Sequence, residues 1–186
     1  MEEVDSASGQ LVLVNGPSRG GKSRWAEHLV AQHCPVSYVA TSASRPDDSG
    51  WQQRIRLHRE RRPADWEVIE SGANLSLALN TIPSDHTVLV DALGAFTAWH
   101  LDASSVDWME LESELIHSLQ ARQRPVVVVI EETGWGVVPA TAIGGRFRDR
   151  QGRLAQQLET IASASWLVVQ GRALDLHALG YSVPDR

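Results

Sequence analysis

The sequence predicts an α/β fold, a mainly parallel β-sheet with helices on both faces. Three observations predict it. Short, continuous runs of apolar and β-branched residues read as strands buried on both sides. These runs alternate with stretches of helical periodicity, the order expected of strand–helix–strand units. The first run, Leu11-Val12-Leu13-Val14, leads directly into Gly16-Pro17-Ser18-Arg19-Gly20-Gly21-Lys22-Ser23, which fits G-x-x-x-x-G-K-[ST] in the strand–loop–helix setting that this phosphate-binding motif requires.

Strands are expected over 11–14, 36–40, 87–90, 126–130 and 166–169, and helices over 23–33, 52–61, 75–80, 106–122 and 146–164. Met109, Leu111, Leu115, Ile116 and Leu119 form the apolar stripe of an amphipathic core helix. Pro, Gly and Ser cluster over 44–50 and 134–145, which read as surface loops beside the carboxyl ends of the strands, where ligands of open α/β sheets bind. Residues 1–10 read as a disordered tail, 11–171 as one nucleotide-binding catalytic domain of P-loop NTPase type, and 172–186 as a C-terminal tail.

Composition fits a compact enzyme and excludes several alternatives. At 186 residues and 42% hydrophobic content the chain can bury a substantial core. No apolar run approaches the roughly 20 residues of a membrane span, and the acidic start lacks the regions of a signal peptide. Cys34 is the only cysteine, so an internal disulfide is excluded and a thiolate metal site has no second ligand. A cytoplasmic location is the expectation. The net charge of −6 argues against general nucleic-acid binding.

The loop has a direct chemical reading. Glycines let successive N–H groups converge on phosphate oxygens, and the helix N-terminus adds its partial positive charge. Lys22 would reach the outer phosphates and Ser23 would hold Mg²⁺. Pro17 removes one possible donor. The metal also needs an acidic partner at the end of a neighbouring strand, and two candidates compete: Asp91 after 87–90, and Glu131 with Glu132 after 126–130. The pattern favours Asp91. Either carboxylate could instead merely cap the element that follows it.

A second motif surrounds His58. Between Arg54 and Arg62 five arginines stand against one glutamate. In a helix, Arg54, Arg61 and Arg62 share the face of His58. Such a face can grip phosphate oxygens, and its positive field favours the neutral, nucleophilic imidazole. His58 could then attack an α-phosphate and carry a nucleotidyl group. A solvated basic helix with an incidental histidine is the competing reading.

The loop, Tyr38-Val39-Ala40-Thr41-Ser42, Arg54-Ile55-x-x-His58-Arg59-x-x-Arg62-Pro63-x-x-Trp66-x-x-x-Glu70, Asp91-Ala92-Leu93, Glu132-x-Gly134-x-Gly136-x-Val138-Pro139 and Arg146-x-Arg148-Asp149-x-x-Gly152 occur in this order. Together with Trp166-Leu167-Val168-Val169 they resemble the bifunctional adenosylcobinamide kinase and adenosylcobinamide-phosphate guanylyltransferase family of cobalamin biosynthesis. The resemblance implies a homotrimeric P-loop enzyme that phosphorylates adenosylcobinamide with ATP or GTP. It then transfers GMP from GTP through a guanylylated histidine, matching His58. Implied nucleotide contacts are the loop from Gly16 to Ser23, Ala40, Thr41, Ser42, Arg59, Glu60, Arg61, Arg62, Glu70 and Asp91, which also settles the acidic partner as Asp91.

The chain departs from that pattern at named positions. Where the family usually has Asp-Cys-Leu-Thr-Leu-Trp-x-x-Asn, this chain reads Asp91-Ala92-Leu93-Gly94-Ala95-Phe96-Thr97-Ala98-Trp99; Glu131 replaces a usual Asn and Ala155 the start of an Asn-Gln pair. These changes bear on the corrinoid more than on the nucleotide. Two other readings therefore stay open, a P-loop small-molecule kinase with His58 inert and a nucleotide-binding regulatory protein. Most of the seven tryptophans are expected in the core or at an interface, and the six other histidines show no metal-site spacing.

Overall fold

The computed structural model describes residues 10–43 and 46–184, with the side chains of Trp51 and Arg54 left out. The expected N-terminal tail falls, apart from Gln10, outside the described residues. So does the part of Arg54 that the shared face with His58 depends on.

The elements are β1 (Leu11–Gly16), α1 (Lys22–Val30), β2 (Val36–Ala40), α2 (Ser49–Arg61), β3 (Glu67–Glu70), α3 (Leu75–Thr81), β4 (Thr87–Asp91), α4 (Leu93–Trp99), α5 (Ser105–Gln120), β5 (Val126–Glu131), α6 (Ala142–Glu159), β6 (Ala164–Val169), β7 (Arg172–Asp175) and α7 (Leu176–Leu179). They form one seven-stranded sheet of order β3-β2-β4-β5-β1-β6-β7, parallel except for the antiparallel edge strand β7. The α/β class with a mainly parallel sheet is as the sequence predicts.

Alternation along each central strand divides the core into two layers. Leu11 and Leu13 of β1 and Val126, Val128 and Ile130 of β5 pack with residues of α3, α4, α5 and α6. Val14, Val127 and Val129 point to the opposite face and pack with Ala26 and Val30 of α1. Both faces are therefore covered, which explains why these strands are apolar without interruption. Trp66 and Trp108 are buried, and Trp25 meets Trp166 edge-on with ring centroids 5.1 Å apart. Trp99 and Trp135 are exposed.

Four elements and one boundary depart from expectation. β3 is a short edge strand whose two glutamates flank Val68 and Ile69, so it carries little apolar signal. α4 has only seven residues, with Leu93 and Phe96 fully packed and Gly94 in its first turn, too short for a periodic stripe. α6 begins at Ala142, inside the expected loop, because the Thr141 hydroxyl accepts from Gly144 N–H and starts the helix there. The C-terminal tail reading is corrected for 172–179: Arg172, Ala173, Leu174 and Asp175 pair with β6, and Asp175 caps α7 through the N–H groups of His177 and Ala178.

Candidate active site

The parallel strands align their carboxyl ends, so Gly16, Ala40, Asp91 and Glu131 share one edge of the sheet. A cleft of about 740 Å³ opens there, lined by the loop from Arg19 to Ser23, by Leu57, His58 and Arg61 of α2, and by Asp91 and Glu131. That volume is within the roughly 300–1,000 Å³ of small-molecule sites.

The loop is built by its neighbours. Gly16 and Gly20 lie against the carbonyl of Val168 in β6; an added Cβ would stand 2.2 Å and 2.5 Å from that oxygen. Gly20 N–H donates to the Pro17 carbonyl, and Gly171 N–H to the carbonyl of Gly20. Gly21, at φ 111°, precedes α1 without any side-chain cap. A helix start without a capping oxygen is the arrangement that suits an anion there. Lys22 is buried, and its Nζ donates to the Pro17 carbonyl at 2.8 Å.

Asp91 ends β4 and accepts a hydrogen bond from the Tyr38 hydroxyl at 2.9 Å. The Arg62 guanidinium lies 3.9 Å over the ring of Tyr38. Burial, reinforced by the Asp91 charge, holds the Tyr38 hydroxyl far above its ordinary value, so it stays a donor to Asp91. Thr41 ties β2 to the start of α4: its hydroxyl donates to the Ala92 carbonyl at 2.6 Å and accepts from Ala92 N–H at 3.0 Å.

Glu131 ends β5, between the loop strand β1 and the Asp91 strand β4. Its Oε2 accepts from Gly94 N–H at 2.8 Å, and a Cβ on residue 94 would lie only 2.6 Å from that oxygen. Two departures from the family pattern, Gly94 and Glu131, thus touch each other: the missing side chain makes room for the carboxylate. Burial pushes the Glu131 carboxyl above its ordinary value, the Asp91 charge adds to this, and the Gly94 N–H and Lys22 oppose it.

α2 brings His58 to the same cleft. Its Nδ1 stands 3.3 Å from Arg61 Nη2 and 3.8 Å from Asp91 Oδ2. Arg61 also makes two bonds to Glu27 of α1, at 3.2 Å and 3.0 Å, which fix the guanidinium beside the imidazole. Arg62 turns away: Nε donates to the His58 carbonyl, and the side chain covers Tyr38. The expected arginine cluster is therefore divided, with Arg61 lining the cleft and Arg62 supporting it.

Other residues expected at the site border it. Arg59 and Glu60 are exposed on α2, and Glu70 ends β3 in register with Ala40. Ala40, Thr41 and Ser42 close the end of β2 without lining the cleft, and Gly16, Pro17 and Ser18 form the base of the loop. Sequence reasoning missed the supporting roles of Tyr38, Glu27 and Gly94. Tyr38 stood in the quoted motif, whereas the contact between Glu27 and Arg61 joins residues 34 apart and leaves no local signal.

The donor set suits Mg²⁺. Ser23 and Asp91 offer hard oxygen ligands in the same cleft, and the described residues contain no cluster of three or more His, Cys, Asp or Glu able to hold a metal alone. Magnesium is commonly held by one or two protein oxygens together with nucleotide phosphates and water.

The fold and sequence have known counterparts. A solved structure of the RadB recombinase superposes with a TM-score of 0.52 at 15% identity, covering 87% of this chain and 75% of that one, a likeness of fold. The bifunctional adenosylcobalamin biosynthesis protein CobU of Escherichia coli is 33% identical over 176 residues, 87% of this chain and 96% of the relative. The protein of the same name from Salmonella typhimurium is 32% identical over the same shares. CobP of Pseudomonas aeruginosa, also described as a bifunctional adenosylcobalamin biosynthesis protein, is 32% identical over 88% of this chain and 95% of its own length. Residues 12–176 match the family described as cobinamide kinase / cobinamide phosphate guanyltransferase, and with the cleft, the loop and His58 in place the chain belongs to that enzyme family.

Proposed function

We propose that the chain catalyses both reactions of its family in the one cleft. In the first, the terminal phosphoryl group of ATP or GTP passes to the hydroxyl of adenosylcobinamide. In the second, GMP passes from GTP to adenosylcobinamide phosphate through a covalent guanylyl-His58 intermediate, giving adenosylcobinamide-GDP. The observation that carries this reading is the placement of His58 beside Asp91 and in one cleft with the phosphate-binding loop. A kinase alone has no need of an imidazole there.

The loop N–H groups and Lys22 bind and orient the phosphates. Bound Mg²⁺, on Ser23 and Asp91, would neutralise phosphate charge. For guanylyl transfer, a ring nitrogen of His58 forms a bond to the α-phosphorus, and pyrophosphate leaves with the electrons of the broken P–O bond. Arg61 can only donate, so its approach favours a lone pair on Nδ1, whereas Asp91 favours a proton there. Attack through Nε2 requires the second tautomer. A phosphate that draws Arg61 from the ring leaves Asp91 to hold it. The proposal includes homotrimeric assembly, carried by the family resemblance, and a cytoplasmic location, the expectation drawn from the sequence. No helix among the described residues is long and apolar enough to cross a membrane.

The test supplies adenosylcobinamide with GTP and follows products by mass. The wild-type chain is expected to form the phosphate and then the GDP derivative, and His58→Ala to stop at the phosphate. Formation of the GDP derivative by His58→Ala at the wild-type rate would remove the histidine step and leave the kinase alone.

A further inference from the structure

Glu131 is placed for a task that the phosphate-binding parts do not perform. It is paired in register with Gly16, the first residue of the loop, on the strand that separates β1 from β4. Its carboxylate therefore lies at the cleft floor between the Lys22 side and the Asp91 side. It is not a loose surface group: the bond from Gly94 N–H at 2.8 Å anchors Oε2, in space that any side chain at 94 would take.

A carboxylate beside a terminal phosphate repels it unless a donor stands between them. The group that belongs there during phosphoryl transfer is the acceptor hydroxyl. Asp91 is less suited, since it already accepts from Tyr38 and faces His58.

We infer that Glu131 is a catalytic residue of the kinase step, accepting the hydrogen bond of the attacking hydroxyl and then its proton. The inference rests on the proposed function. The hydroxyl oxygen forms a bond to the γ-phosphorus, the bond from that phosphorus to the β,γ-bridging oxygen breaks, and the nucleoside diphosphate leaves with the electron pair. The hydroxyl proton passes to Glu131. Guanylylation of His58 involves no hydroxyl acceptor, so Glu131 has no part in it.

Glu131→Gln keeps the shape and an acceptor for Gly94 N–H but removes the base. With adenosylcobinamide and ATP, kcat for phosphorylation is expected to fall on the order of 100-fold. The KM for ATP and the rate of His58 labelling by GTP should stay within about threefold, which also shows that the variant is folded. Gly94→Ala, which keeps Glu131 but displaces its carboxylate, is expected to lower the same kcat at least roughly tenfold with labelling retained. A Glu131→Gln kinase rate within threefold of wild type overturns the inference. So does a joint loss of phosphorylation and labelling with a raised magnesium requirement, which would place the carboxylate on the metal. A wild-type chain that cannot phosphorylate adenosylcobinamide at all would instead overturn the proposed function, and this inference with it.

Discussion

Lys22 stands at the start of α1 with its ammonium on the Pro17 carbonyl, an internal bond that a phosphate oxygen is able to replace. The side chain is buried at 8% exposure, so its charge acts in a site partly screened from water, where it counts for more than at the surface. Lys22→Ala is expected to lower kcat/KM of the kinase by about 100-fold or more, close to 3 kcal/mol of transition-state stabilisation, and to slow His58 labelling as well. Steady-state rates of both reactions check this, with circular dichroism to verify the fold; unchanged rates would show that the loop is not the nucleotide site. At this scale the sequence was informative where residues are neighbours in the chain. The loop, His58 and Asp91 could be read from motifs, but the bidentate bond from Arg61 to Glu27 and the fit of Glu131 to Gly94 join distant segments. Only folding brings those pairs together.

Among the elements, α5 illustrates how a stable frame carries a local cost. Ser104 and Asp107 form a reciprocal capping box at its start, and Leu115 and Leu119 fill the core. Glu112 lies on the same buried side, and its Oε1 has no hydrogen-bond partner. Burial raises its carboxyl above the ordinary value of 4.5, while a hydrogen bond from Trp108 and the charges of Arg150 and Arg153 pull it back. A raised value means that the folded state keeps a proton that the unfolded chain has already released. Stability therefore falls as pH rises from the ordinary carboxylate value through the folded one. Glu112→Gln removes that dependence. Urea unfolding of both proteins between about pH 4 and pH 8 is expected to show the variant gaining on wild type as pH rises; a constant difference would contradict the assignment. The long amphipathic helix was legible because apolar residues recur along it, although Met109 of the expected stripe is exposed and Trp108 beside it is buried instead. β3, α4 and β7 were not, since each is short and gives too few residues for a period to emerge.

The molecule as a whole converts a sheet order into a site. Placing β5 between β1 and β4 sets Glu131 between the phosphate loop and Asp91, and α2 brings His58 to the cleft at that same edge. Alternating strands and helices made the α/β class readable in advance, but the order of strands is a matter of long-range pairing that no local pattern encodes. The antiparallel addition of β7 is a case in point: its four residues, Arg172, Ala173, Leu174 and Asp175, read as a tail until paired with β6. Guanylylation of His58 in the cleft that also holds the nucleotide loop is the step on which the proposed function rests. It is tested most directly by incubating the chain with GTP labelled at the α-phosphate, then adding adenosylcobinamide phosphate. One label per chain is expected, acid-labile and base-stable as a phosphorus–nitrogen bond is, located on His58 and discharged to the acceptor. Transfer of GMP to the acceptor without any such protein-bound label, or label on a residue other than His58, would contradict it.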